Sequence, residues 1–190
     1  APLASSGTSS VALVPSAAYP TVLNSLLVGR YLAQSGLFRM ENQGNPGERT
    51  QDAVPRFLRV FGATRPEVLL LMEGYNDINT TVSGAASGAA AALGTMASEA
   101  RNRGSRVFIA TLAPSKPGGR SIPTPILDDF NRRVRALAAS EGAVLVDIYS
   151  ALLSDVNTYI GVDGLHPTEI GYRKIAETFF AAIRADLEVR

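Results

Sequence analysis

Apolar residues recur along this chain in two rhythms, and the rhythms alternate. From Pro20 onward Val22, Leu23, Leu26, Leu27 and Tyr31 fall at three- and four-residue steps, the repeat of a helix with one apolar face. Leu37–Glu41 then reads as a short strand. A polar loop, Asn42 to Thr50, follows with Gly44 and Gly47 in it, and then a helix around Asp52–Phe61. Val68-Leu69-Leu70-Leu71-Met72 is an unbroken apolar run, the pattern of a central strand buried on both faces. The Ala-rich stretch Ala85–Asn102 predicts a helix, and Arg106–Thr111 a further strand. Ile126, Leu127, Phe130, Val134 and Leu137 mark a third long helix, and Ala143–Asp147 a fourth strand. Ile170, Ile175, Phe179, Phe180, Ile183 and Leu187 mark one face of a last helix. The first eighteen residues, rich in Ser, Ala and Gly, read as loop with one apolar run, Val11–Val14.

Strands that alternate with helices through short connections predict an α/β protein with a parallel sheet in a three-layer sandwich. No repeat or linker interrupts the pattern, so a single domain over residues 1–190 is expected. The Pro/Gly-rich stretch Ala113–Pro125 reads as a long surface loop at the C-terminal end of a strand, where such proteins place ligand contacts.

Composition then narrows the chemistry. Hydrophobic residues at 46% allow a sizeable core, and charged residues at 18% argue against a disordered chain. Eighteen Lys and Arg against seventeen Asp and Glu leave a net charge of +1, which gives no electrostatic footprint for nucleic acid or an anionic membrane. The absence of Cys excludes disulfides, thiolate metal sites and a cysteine nucleophile; a single His excludes a multi-histidine metal site. No apolar run approaches the ~18 residues that a membrane span needs. The N-terminus lacks the build of a signal peptide, so a secreted protein of this sequence is one whose leader has been removed.

Three loops at strand ends carry suggestive chemistry. Asp163-Gly164-Leu165-His166-Pro167 precedes the last helix and holds the only imidazole. An Asp three residues before a His can accept its Nδ1–H, fix the tautomer and leave Nε2 as a base. The alternative is a helix-capping His166 with Asp163 as a turn residue. Asn76, in Glu73-Gly74-Tyr75-Asn76-Asp77, either aims its Nδ2–H at an oxyanion or closes an Asx-turn with Asp77. Gly47 either exposes a backbone N–H to the same oxyanion or serves as a loop residue at positive φ.

Asn42-Gln43-Gly44-Asn45-Pro46-Gly47-Glu48, Gly74-x-Asn76-Asp77 and Asp163-x-x-His166, in this order, resemble the SGNH (GDSL-type) hydrolase family from about Tyr19 to the C-terminus. The resemblance implies a flavodoxin-like α/β/α sandwich and hydrolysis of a small-molecule ester through a Ser-His-Asp triad. His166 would be the base, Asp163 its orienting acid, and Gly47 and Asn76 oxyanion donors. Neither cofactor nor metal is implied. The family's first block, a strand ending in Gly-Asp-Ser that carries the nucleophile, is missing here. Gly7-Thr8-Ser9 is the nearest match, which puts Ser9 ahead of Ser5, Ser6, Ser10 and Ser16 as nucleophile. Two expectations follow. The strand and nucleophile lie upstream of Ala1, as the loop-like lead-in to Tyr19 favours, or the chain has lost the nucleophile and only binds an ester or carbohydrate. Either way the sheet is expected to show a gap in its middle, and turnover to be negligible unless one of the five serines is recruited. A flavin or nucleotide binder on this scaffold lacks its Gly-rich phosphate loop.

Overall fold

A computed structural model describes residues 3–5, 11–79 and 82–189. In chain order the elements are β1 (Leu3–Ser5), β2 (Val11–Leu13), α1 (Tyr19–Arg30), α2 (Thr50–Thr64), β3 (Val68–Leu71), α3 (Tyr75–Ile78) and α4 (Ala85–Asn102). There follow β4 (Arg106–Ala110), α5 (Thr124–Ser140), β5 (Val144–Val146), α6 (Ile148–Leu153), α7 (Val156–Tyr159) and α8 (Glu169–Leu187). Two 3₁₀ turns, Pro15–Ala17 and Leu32–Leu37, flank α1. The chain divides into two compact units.

One unit, Gly47–Leu112 with Ile122–Tyr149, holds the parallel sheet in the order β3-β4-β5. Val68 pairs with Arg106 through to Leu71 with Ile109, and Phe108 with Val144 through to Ala110 with Val146. The central strand is β4, whose Val107, Phe108, Ile109 and Ala110 are all buried. Helix α4 packs on α2 and α5 through small residues: Ala89, Ala92, Ala97 and Ala100 are buried, and Gly94 lets Leu137 approach. Asn131 of α5 pins the chain as it leaves β4, accepting from Leu112 N–H at 2.8 Å and donating to its carbonyl at 3.1 Å. A buried amide satisfied at both ends is a rigid spacer rather than a cost.

The other unit comprises the residues up to Pro46, Ala113–Ser121 and the chain from Ser150 onward. In it α1 packs along α8, with Leu23 and Leu27 buried on one helix and Ile175, Ala176 and Phe179 on the other. The rings of Tyr19 and Phe179 stack with centroids 5.3 Å apart. Residues 3–5 and 11–13 pair antiparallel.

The α/β class with a parallel sheet is as expected, and the predicted helices stand within a few residues. Five expectations are corrected. Leu37–Glu41 is not a strand: it leaves a 3₁₀ turn as irregular extended chain, with Leu37 80% exposed. A lone extended segment with no neighbour to pair its N–H and C=O groups stays solvated. The gap expected for want of the Gly-Asp-Ser strand is not seen among the described residues, whose three parallel strands form a continuous sheet. Val68–Met72 supplies an edge strand rather than the centre, and Val68, Leu69 and Leu70 are only half-buried. Ile170 and Leu187 point outward, at 57% and 43% exposure; Tyr172 and Ala176 complete the buried face of α8 instead. The lead-in is not all loop, since β1 and β2 pair as an antiparallel ladder.

Candidate active site

The chain enters α8 through a tight turn that positions His166. The cap of α8 is Thr168, whose Oγ1 accepts from Gly171 N–H at 3.1 Å, so His166 is not the capping residue. The Asp163 side chain organises the turn from within. Its Oδ1 accepts the N–H groups of Leu165 at 3.1 Å and His166 at 3.0 Å, and its Oδ2 lies 2.5 Å from His166 Nδ1. Both side chains are about a quarter exposed. A carboxylate against Nδ1 places the proton there and leaves the lone pair on Nε2. Partial burial pushes the Asp163 carboxyl up, but the His166 hydrogen bond and the two backbone N–H groups outweigh it and hold the carboxyl below its ordinary value. Asp163 is therefore both the turn residue and the partner of the imidazole.

The stretch Ala113–Ser121 is laced to that turn. Lys116 N–H and Ser115 Oγ donate to the Gly164 carbonyl at 3.1 and 2.7 Å, and Arg120 N–H donates to the Asp163 carbonyl at 2.9 Å. Two glycines make the approach possible. A Cβ at Gly164, where φ is +84°, would lie 2.3 Å from the Lys116 carbonyl oxygen. One at Gly118 would lie 2.5 Å from the Asp163 backbone.

In the sheet-bearing unit, Asn76 does not close an Asx-turn. Its Nδ2 donates to the Glu48 carbonyl at 2.9 Å, which ties the loop after β3 to the residue following Gly47. The second Nδ2 hydrogen is left for another acceptor. Gly47 is exposed at φ +80°, with nothing near the position a Cβ would take. The carboxylate of Asp77, buried, accepts from Thr50 N–H at 3.0 Å and Thr50 Oγ1 at 2.8 Å at the first turn of α2. There it satisfies an orphan donor and complements the helix dipole. Glu48 binds Arg56 through Nε at 2.8 Å and Nη2 at 2.5 Å. Gly74 turns at φ +134° beneath the Phe130 ring, which a Cβ would meet at 2.4 Å.

The structure thus joins Asp163 to His166, and Asn76 to the neighbour of Gly47, each pair within its own unit. Ser6, Ser9 and Ser10 lie outside the described residues; Ser5 ends β1, and Ser16 sits exposed in a 3₁₀ turn. Sequence reasoning missed Thr50, Arg56, Ser115 and Gly118. For Ser115 and Gly118 the one signal was the Pro/Gly-rich stretch already expected to matter. No group of three or more His, Cys, Asp or Glu side chains that could hold a metal occurs among the described residues, and no helix there is long and apolar enough to cross a membrane.

A carboxylate-fixed imidazole on an α/β scaffold is an arrangement that hydrolases use. The chain matches the GDSL-like lipase/acylhydrolase family over residues 6–174, and it belongs to that family. Solved structures share its fold. An α/β hydrolase from the metagenome of Lake Arreo superposes with a TM-score of 0.76 at 22% identity, over 87% of this chain and 81% of that one. An acetylxylan esterase from Geobacillus stearothermophilus gives 0.74 at 21%, over 87% and 80%. A lipase/acylhydrolase from Enterococcus faecalis gives 0.73 at 20%, over 89% and 88%. No curated protein matches the sequence.

Proposed function

We propose that this chain is a serine esterase acting on small carboxylic esters, with residues 1–190 working as one domain. The observation that carries the reading is the 2.5 Å contact between Asp163 Oδ2 and His166 Nδ1, which leaves Nε2 poised as a base. A serine Oγ attacks the ester carbonyl carbon while its proton passes to His166 Nε2. The Gly47 N–H and Asn76 Nδ2–H take the developing oxyanion. Asp163 holds the imidazolium in place, the proton leaves with the alcohol, and water repeats the cycle on the acyl-enzyme. Ser9 is the first candidate for the nucleophile. Acetylated sugars are the first substrates to try, since an acetylxylan esterase is among the proteins of this fold.

The sequence lacks Gly-Asp-Ser, and this favours a second reading, a relative that binds an ester or carbohydrate without cleaving it. Hydrolysis of p-nitrophenyl acetate by the wild type and His166→Ala separates the two. The esterase reading expects turnover that His166→Ala abolishes. Binding of an acylated sugar without turnover establishes the second reading, and turnover equal in both proteins overturns the role given to His166.

A further inference from the structure

Glu73 has no part in the chemistry above. It ends the apolar run of β3 and stands immediately before the Gly74 turn that leads to Asn76. Its side chain reaches inward: Oε1 is buried and finds no hydrogen-bond partner among the described residues. The charged groups that act on it are Glu48 from the loop before α2, Asp77 from α3 and Arg56 from α2. Arg56 is already committed to Glu48. Asp77 is already held by Thr50. A carboxylate at Glu73 would be a third negative charge in this cluster with a buried oxygen left bare, which is costly. A neutral acid avoids both penalties. Burial first, then Glu48 and Asp77, push the Glu73 carboxyl up to about 7, against the pull of Arg56.

The same cluster anchors the loop that carries Gly47. Glu48 holds Arg56 with its side chain and Asn76 with its carbonyl, so whatever disturbs the Glu48–Arg56 pair acts on both candidate oxyanion donors. We propose that Glu73 is a positioning residue for the Gly47–Glu48 loop. As a neutral acid it leaves Arg56 to Glu48 and the Glu48 carbonyl to Asn76; once its proton has passed to solvent, the carboxylate competes for Arg56 and repels Glu48, and the loop loosens. Only the consequence for catalysis rests on the oxyanion roles proposed above; the proton linkage does not. Because the folded chain raises this acid, the stability linked to its proton is complete below the unfolded value of 4.5 and is lost as the pH rises through about 7.

The test is a titration followed by nuclear magnetic resonance on the wild type and Glu73→Gln, which keeps the size and is neutral throughout. In the wild type the Asn76 side-chain amide and the Arg56 Nε–H should shift together with a midpoint about 7. In Glu73→Gln both should stay still over that range, and the fall in Tm across it should disappear. Signals that do not move in the wild type, or that move equally in the variant, overturn the proposal. Should the variant fail to fold, the carboxyl ¹³C resonance of Glu73 in the wild type decides alone, and a midpoint near 4.5 overturns it. Where an ester is turned over, the loss should fall on kcat rather than KM in the wild type and be absent from Glu73→Gln. A linked titration without any turnover sinks the esterase reading and leaves this one standing; turnover without the titration does the reverse.

Discussion

Asp163 divides its two oxygens between two tasks, and a substitution that keeps its shape exposes both. Oδ1 holds the turn through two N–H groups while Oδ2 orients the imidazole. Asp163→Asn removes the charge that fixes the tautomer, and kcat should drop by about 10²–10⁴-fold with KM little changed, as steady-state kinetics will show. It should also lower Tm at neutral pH. The folded chain depresses this acid, so its contribution is present above the unfolded value of 3.8 and is lost as the pH falls through the lower folded value. Melting curves of wild type and variant should therefore converge in acid. The contact between Asp163 and His166 was legible in the sequence, because the two share a short motif and the chain has only one imidazole to place. Glu73 and Thr50 were not. A carboxylate closing a strand reads as a solvated residue, and Thr50 acquires its meaning from Asp77, 27 residues further along.

The stretch Ala113–Ser121 and the first turn of α8 are the elements that hold the His166 turn in shape. Gly118→Ala would push a Cβ into the Asp163 backbone, and overpacking of this kind costs about 1–3 kcal/mol. Gly119→Ala, which meets nothing within 4 Å, is its control. Urea denaturation should show the first variant clearly weaker and the second near wild type; equal midpoints would contradict the clamp. Thr168→Ala removes the α8 cap and should cost about 1 kcal/mol by the same measurement. Elements with a strong period were readable: the Ala-rich run became α4 over the same bounds, Ala85–Asn102. Those whose character depends on a neighbour were not. Leu37–Glu41 has strand-like residues and pairs with no strand among the described residues, and the short helices α3, α6 and α7 are too brief to show a repeat.

At the scale of the molecule, the chain passes from one compact unit to the other and back twice. If His166 and Asn76 serve one transition state, their losses are not independent. Asn76→Ala should lower kcat by about 10²–10³-fold in the wild type and by far less in a His166→Ala background. Additive losses would mean that the two residues do not share a reaction. The alternation of strand and helix patterns made the α/β class legible, and the strand-end motifs made the family legible. The nucleophile stayed hidden because the nearest match to its motif, Gly7-Thr8-Ser9, lacks the apolar strand that would mark it. The central claim is that His166, fixed by Asp163, activates a serine of this chain, and covalent labelling tests it most directly. A fluorophosphonate probe, mapped by mass spectrometry, should leave one adduct on Ser5, Ser6, Ser9, Ser10 or Ser16, with Ser9 the first expected, and none in His166→Ala. An adduct that forms as fast without His166, or ester turnover with none of these five serines labelled, would contradict the account.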